Sequence, residues 1–381
     1  MAIGSKAVTL PAALAGVRPA SLAARRAALW ALLVAKVLAS WGVQWDIQWH
    51  TIIGRDSFWI APHVMTYSGV TLMVLLSFGV LAWTTLRPSA AAGDVVRVLG
   101  LTSTRGFHLA AWGIALTVLA APIDDLWHRL FGIDVTLWSP PHLLGLVGSA
   151  VNTAACLLIA CEVYPGGGRV RDAAIVVNGA ALLGTLAFAV QPTFRLAYLH
   201  GGIAFHSYAI LAALLFPLAY VTAAKVSGLR AAPLLVLLVG FASGAVGTQI
   251  GRIGFAVLQP VSVIEEEIAK DPTSPIAVAN AIARKNGDAP GQRSLVFQSL
   301  ALIPVILMVV VDPRRRPVVA ALVYGITLLA TAGWSLARLP AYGPMAPDAG
   351  TTLIALVLTA LAAVVAAVTA RRLSAALGAD R

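Results

Sequence analysis

The sequence has little charge and almost no cysteine for its length. Charged residues make up 11% of the 381 residues, and the two cysteines are Cys156 and Cys161. Their spacing fits neither a CxxC redox pair nor a zinc knuckle, and so few cysteines exclude a disulfide-rich domain. With 59% hydrophobic residues and a mean hydropathy of +0.86, the scarcity of charge also excludes an ordinary soluble globular protein.

Long apolar runs are what the sequence has instead. A helix of about 20 apolar residues crosses a bilayer, and each spanning segment must satisfy its backbone hydrogen bonds internally. We therefore predict an all-α, polytopic transmembrane helical bundle of about ten spans, at residues 27–49, 62–86, 106–124, 140–163, 173–190, 202–224, 232–251, 294–311, 316–337 and 351–370. The first run lacks a small-residue cleavage pattern, so we interpret it as an uncleaved anchor.

The distribution of basic residues predicts the orientation. Most Lys and Arg residues fall in the loops of one face, which the positive-inside rule assigns to the cytoplasm together with both termini. We expect an integral protein of a bacterial-type inner (cytoplasmic) membrane, with the lipid bilayer as its main partner. The net charge of +11 then reflects topology, and the absence of a soluble basic domain argues against a nucleic-acid partner.

The predicted spans divide the chain into three parts. A cytoplasmic segment at 1–26 precedes a four-helix half at 27–163 and a six-helix half at 164–381. The second half contains one long outer segment, 252–293, in which Ser274 followed by proline predicts the start of a short helix. We interpret this helix as a lid on the membrane surface, and the alternative is a solvated loop.

One spacing of potential metal ligands occurs twice in the first half. The two copies are Asp46-x3-His50-x12-His63 and Asp124-x3-His128-x13-His142. Six further positions recur in the same order, namely Trp49, Gly54, Asp56, Trp59, Pro62 and Gly69, then Trp127, Gly132, Asp134, Trp138, Pro141 and Gly148. Both copies map to the predicted outer, extracytoplasmic face.

The spacing predicts a three-ligand site in each helical hairpin. Residues at i and i+4 share one face of a helix, so Asp46 and His50 project together. Pro62 suits the first turn of the next helix, which allows His63 to project back toward that pair. Two imidazoles and a carboxylate leave coordination positions open, and this ligand set admits copper, non-heme iron or zinc. Hydrogen bonding between Asp and His at the interface is the alternative interpretation.

The first copy resembles the metal-binding motif of the C subunit of particulate methane monooxygenase and ammonia monooxygenase. In that family a second site uses an Asn and two histidines at the spacing seen here from Asp124 to His142, with Asp124 in place of the Asn. The resemblance covers roughly residues 27–163. It implies a copper protein that works with partner monooxygenase subunits and oxidises small apolar substrates or ammonia. A homo-oligomer is the alternative to such partners. The resemblance leaves open whether this chain is itself an enzyme.

Other polar residues lie outside the two motifs. Arg195, His200 and His206 map to the same face, where they either complete or gate the site as accessory residues or simply belong to an interfacial loop. Lys36 is the one cation well inside a predicted span. We expect it to pair with a neighbouring carboxylate or to extend to the interface.

Three other functions fit the composition. Histidines on paired helices also bind heme in electron-transfer proteins, although a carboxylate one turn before each histidine is unfavourable for an open, apolar heme face. A metal-handling transporter should continue its ligands through the bilayer, whereas His108, Cys156 and Cys161 are sparse there. A non-catalytic scaffold subunit would bind metal without turnover.

Overall fold

The chain folds as a bundle of helices with one small β-hairpin. The computed structural model describes residues 19–54, 57–87, 95–131, 137–290 and 300–378. The hairpin consists of β1 (Val95–Val98) and β2 (Leu101–Thr104), which pair antiparallel. The helices are α1 (Pro19–Ile52), α2 (Ala61–Leu86), α3 (Arg105–Phe131), α4 (Pro140–Val163), α5 (Arg169–Val190), α6 (Thr193–His200), α7 (Ser207–Ser227), α8 (Ala232–Leu258), α9 (Ile264–Lys270), α10 (Pro275–Asn286), α11 (Leu302–Val311), α12 (Pro317–Leu336) and α13 (Ala349–Ala376).

The helix lengths confirm an all-α bundle of membrane type. Within the described ranges, nine helices are long and apolar enough to cross a bilayer, and they correspond to nine of the ten predicted spans. The remaining predicted span, 294–311, overlaps the ten-residue α11, and its residues 294–299 lie outside the described part of the chain. The count of ten and the cytoplasmic placement of both termini stay predictions. The repeat positions Asp56, Gly132 and Asp134 also lie outside the described residues.

Helix α8 is longer than the sequence predicted. It continues to Leu258, so the predicted outer segment that starts at 252 begins with two further turns of helix. Tertiary packing accounts for the extension, because Phe255 stacks on Trp49 with ring centroids 5.7 Å apart. The short helix predicted after Ser274 is confirmed, since α10 begins there and the Ser274 side chain accepts a hydrogen bond from the Ala277 amide at 3.2 Å.

The duplicated motif is accompanied by duplicated helix packing. A Cβ added at Gly69 of α2 would lie 2.7 Å from the backbone oxygen of Ala35, and one added at Gly148 of α4 would lie 2.7 Å from that of Gly113. Ala35 and Gly113 precede Asp46 and Asp124 by the same number of residues. Small residues at these points let the backbones approach closely, which is how membrane helices associate. The pairs α1–α2 and α3–α4 are therefore two copies of one helical hairpin.

The outer segment closes the end of α1. Helix α8 runs parallel to α1, since Trp41 donates to Ser243 O at 2.9 Å and Phe255, further along α8, stacks on Trp49, further along α1. Beyond α8, the Val263 amide donates to Ile53 O at 2.8 Å, and the Asn280 side chain of α10 donates to Thr51 O at 3.2 Å. These contacts place α9 and α10 directly against the last turn of α1.

Candidate functional site

The first Asp-His-His set forms a cluster between α1 and α2. Asp46 and His50 lie one turn apart near the end of α1, and His63 lies in the first turn of α2 directly after Pro62. Asp46 Oδ1 is 3.0 Å from His63 Nε2 and 3.4 Å from His50 Nδ1. The two imidazole centroids are 6.1 Å apart. The structure thus brings together the three side chains that the spacing predicted.

Both ring nitrogens of His63 face oxygen acceptors. Nδ1 lies 3.0 Å from the backbone oxygen of Ser57, and Nε2 faces the Asp46 carboxylate. A carbonyl oxygen accepts only, so Nδ1 carries the proton, and Nε2 then presents its lone pair to a carboxylate unless it too is protonated. Two states relieve this conflict: an imidazolium, or a neutral ring that shares a cation with Asp46.

The Asp46 carboxylate faces both imidazoles of the cluster. Its Oδ1 is enclosed and has no hydrogen bond of regular geometry, although two imidazole nitrogens lie within 3.4 Å. His50 Nδ1 lies closer to the backbone oxygen of Asp46, at 2.9 Å. That bond leaves Nε2 as the nitrogen through which His50 can donate an electron pair. A carboxylate oxygen flanked by two imidazole nitrogens is a position at which a cation can be coordinated.

Aromatic side chains surround the first cluster. Tyr67 lies one turn after His63 with ring centroids 5.7 Å apart, and Phe58 packs against Tyr67 at 4.9 Å. On the other side of α1, Trp45 and Trp49 are buried with relative exposures of 7% each. Reasoning from the motif missed Ser57, Phe58 and Tyr67. Ser57 takes part through its backbone oxygen, and Phe58 and Tyr67 through ring contacts, so their residue types gave no signal.

In the second set, the structure describes the contact between the carboxylate and one imidazole. Asp124 Oδ1 and His142 Nε2 are 3.4 Å apart, and these side chains are 27% and 30% exposed. His128 occupies the helical position one turn after Asp124. Ile60 and Ser139, which cap α2 and α4, have nearly the same backbone angles, with φ of −64° and −67° and ψ of 151° in both. The backbone at the start of α2 is thus duplicated at the start of α4.

The first cluster supplies donor atoms of the kinds that transition metals bind, but it is not a preformed metal site. Among the described residues, no group of three or more His, Cys, Asp or Glu side chains is placed so that it could hold a metal ion as it stands. Metal–ligand distances of about 2.0–2.2 Å put neighbouring donors roughly 3 Å apart. The 3.0 Å between Asp46 Oδ1 and His63 Nε2 matches that separation. The backbone bond at His63 Nδ1 is also the outer-shell contact typical of a metal-bound histidine.

The three accessory residues contact other parts of the same end. Arg195 donates to Thr273 O at 3.4 Å, between α9 and α10. His206 is buried, with Nε2 3.3 Å from Thr352 Oγ1 on α13, and His200 is exposed at the end of α6. The structure therefore does not bring them into contact with Asp46. Their role as ligands or as a gate stays a prediction.

Lys36 connects the two hairpins. The sequence predicts either a carboxylate partner or a side chain that extends to the interface, and the described part of the chain shows neither. Its ammonium group is buried and donates to the Asn152 side-chain oxygen and to Thr153 Oγ1, the latter at 3.1 Å. Asn152 in turn donates to Ala110 O of α3 at 2.6 Å. Within the described residues Lys36 forms no ion pair with a carboxylate. The predicted carboxylate partner was wrong, because the Asn152 amide of α4 lies at the same depth as the Lys36 ammonium group.

Comparisons of the chain with known proteins identified no related protein. No protein-family model, no curated protein and no solved structure matches the chain. The resemblance to the monooxygenase C subunit therefore rests on the two Asp-His-His spacings alone. A functional conclusion has to come from the geometry of the cluster.

Proposed function

We propose that the chain is an integral membrane metalloprotein in which Asp46, His50 and His63 hold one transition-metal ion. Copper is the first choice, and iron or zinc is the alternative. The single observation that carries the proposal is the environment of His63, whose Nδ1 is bonded to a backbone carbonyl while Nε2 faces the Asp46 carboxylate. A cation between Nε2 and Oδ1 converts an acceptor–acceptor contact into two coordinate bonds.

The residues around the cluster support this assignment. The Asp46 carboxylate supplies negative charge to a cation, and Ser57 O holds the His63 tautomer that can coordinate. Tyr67 packs beside His63, and Phe58 packs against Tyr67. Ionisable groups at membrane depth are costly and usually have a function, which favours a ligand over an idle ion pair.

The resemblance to the copper membrane monooxygenases supports an oxidative role. We propose that the bound ion activates dioxygen for oxidation of a small apolar substrate or ammonia, with the site on the extracytoplasmic side. The open coordination positions left by three protein ligands suit that chemistry. Partner monooxygenase subunits or a second copy of this chain belong to the same proposal. The second copy of the motif, with Asp124 replacing the family's Asn, favours a harder ion.

Metal titration tests the proposal. The full chain, purified in detergent, is loaded with copper, and the bound metal is quantified and examined by electron paramagnetic resonance. We expect about one tightly bound copper ion that is lost in His63→Gln and Asp46→Asn. His108→Gln is the control, because His108 lies outside both motifs and contacts Val96 O of the β-hairpin. A wild-type protein that retains no copper, iron or zinc would refute the proposal.

The same preparation separates the alternatives. A Soret band in the reduced-minus-oxidised spectrum would indicate heme binding instead. Metal uptake into vesicles that contain the protein would indicate a transporter. Bound metal without oxygen-dependent turnover, in the presence of a reductant, would indicate a non-catalytic scaffold.

A further inference from the structure

A cavity lined by basic side chains lies at the end of the bundle opposite to the Asp-His-His clusters. We call it the basic cavity; it has a volume of about 320 Å³ and is lined by Lys225, Arg314, Arg315, Arg316, Pro317, Val318, Val319 and Arg371. These residues come from the end of α7, the α11–α12 connection, the first turn of α12 and the last part of α13. Among the described residues its lining includes no carboxylate.

Chain direction establishes that the two sites are at opposite ends. Helix α8 runs parallel to α1 and ends beside the last turn of α1, where the first cluster lies. Helix α7 precedes α8 and is joined to it by the short connection after Ser227, so the end of α7 lies where α8 begins. Lys225 is in the last turn of α7. The basic cavity is thus independent of the proposed metal site.

One arginine of the basic cavity is held rigidly. Arg314 donates from Nε and Nη2 to the two oxygens of Asp312 at 2.9 and 2.8 Å, and from Nη1 to Gly228 O at 2.6 Å. Those hydrogen bonds from Arg314 lower the pKa of Asp312 to about 2, so the carboxylate stays charged at physiological pH. Asp312 has a φ of 65°, a costly conformation for a residue with a side chain. Backbone strain of this kind persists where surrounding contacts hold the residue in place, as the hydrogen bonds to Arg314 do for Asp312.

Two other arginines of the basic cavity lack any such anchor. The guanidinium groups of Arg316 and Arg371 form no hydrogen bond or ion pair with the part of the chain that the structure describes. Elsewhere at this end, basic side chains are satisfied by helix carbonyls, as when Arg26 donates to Val163 O and Arg230 to Val309 O. The positive-inside rule explains basic residues at this face, but not three separate segments converging on one cavity.

We infer that the basic cavity binds a phosphate group, carried by the headgroup of an anionic phospholipid. Arginine forks match phosphate oxygens bidentately, and basic cavities between transmembrane helices suit anionic headgroups. The apolar wall formed by Val318 and Val319 continues into α12, which offers a surface for the acyl chains. Free inorganic phosphate presents the same chemistry without the chains, and it is the competing source.

Lipid titration with native mass spectrometry tests this inference. The full chain in detergent is titrated with phosphatidylglycerol and, separately, with phosphatidylcholine. We expect selective binding of phosphatidylglycerol and a loss of affinity on the order of twentyfold in the double variant Arg316→Gln/Arg371→Gln, about fivefold for each cation. Arg372→Gln is the matched control, because it removes the same charge from the adjacent position of α13 but does not line the cavity.

Three results would overturn the inference or part of it. Equal phosphatidylglycerol affinity in the wild-type protein and the double variant would refute the site. An equal loss in Arg372→Gln would reduce it to non-specific surface charge. Displacement of the lipid by millimolar inorganic phosphate would overturn the lipid as the source. The variant Arg316→Lys/Arg371→Lys keeps the charge and the fold, and we expect it to retain selectivity with an intermediate affinity because the bidentate contact is lost.

Discussion

The two helical hairpins share their packing but differ in how far their sites are enclosed. A Cβ added at Gly69 or at Gly148 would meet equivalent backbone oxygens at the same distance, and the residues that cap α2 and α4 have the same backbone conformation. In the first hairpin, however, the last turns of α1 are buried, with Trp49 7% exposed. In the second, the equivalent Trp127 is only partly buried, and Leu130 is 65% exposed against 37% for the equivalent Ile52. The two hairpins thus share their helix–helix packing, whereas the neighbouring segments bury the end of the first hairpin more than the end of the second.

The surroundings of the first hairpin explain the inequality. Helix α8 and the segment after it cover the end of α1, through Phe255 against Trp49 and the Val263 amide on Ile53 O. No corresponding cover lies over the end of α3 among the described residues: Leu126 is 54% exposed. A covered site excludes water and strengthens electrostatic interactions. We therefore expect the first cluster to dominate metal binding.

Removing one histidine from each copy should give the largest difference. His63→Gln should weaken metal binding on the order of 10²–10³-fold. A structural metal site binds its ion with about 10–16 kcal/mol, and this loss corresponds to roughly one ligand's part of that binding free energy. His142→Gln should change the affinity of the tightest site less than about threefold, within measurement scatter. Competition titration with a copper chelator measures both. Equal losses would show that the two motifs form one shared centre.

Truncating the equivalent tryptophans tests the difference in enclosure. Trp49→Ala should destabilise the protein by about 3 kcal/mol, because a buried aromatic side chain leaves a cavity. Trp127→Ala should cost about 1 kcal/mol or less, since Trp127 is only partly buried and packs its ring against the exposed Phe131, with centroids 4.4 Å apart. Unfolding titrations in mixed micelles give the two free energies. Similar values would mean that the end of α3 is covered in the membrane.

Adding a methyl group to each packing glycine tests what the hairpins share. Gly69→Ala and Gly148→Ala should each cost about 1–3 kcal/mol, because the new Cβ meets backbone atoms that cannot rotate away. Gly184→Ala is the control, as no atom lies within 4 Å of a Cβ added there. Thermal melting in detergent is sufficient. A cost at one glycine alone would contradict the duplicated packing.

The contact between the hairpins should have the smallest effect. A double-mutant cycle with Lys36→Met and Asn152→Leu measures it, and we expect a coupling free energy of about 1 kcal/mol, since polar contacts between membrane helices average below that value. Removing Lys36 alone should leave the Asn152 amide buried and partly unsatisfied. Zero coupling would mean that the hairpins are joined by apolar packing alone.

Local features of the sequence predicted local features of the structure. Apolar run lengths located nine helices, and the Ser274-Pro275 pair located the start of α10. The Asp46-x3-His50-x12-His63 spacing predicted a cluster, because i and i+4 share a helix face and proline opens the next helix. The β-hairpin, the longer α8 and the partner of Lys36 were not predicted, since each depends on contacts with residues distant in sequence.

The sequence by itself determined that this protein is a bundle of membrane helices with a repeated Asp-His-His pattern, because a bilayer forces each span to satisfy its own backbone hydrogen bonds. Only the tertiary structure decided which copy is enclosed, that His63 faces both Ser57 O and Asp46, and that distant segments form the basic cavity. The physical reason is that helix association in a membrane depends on close packing between small residues and on a few polar contacts. Neither is encoded within a single span.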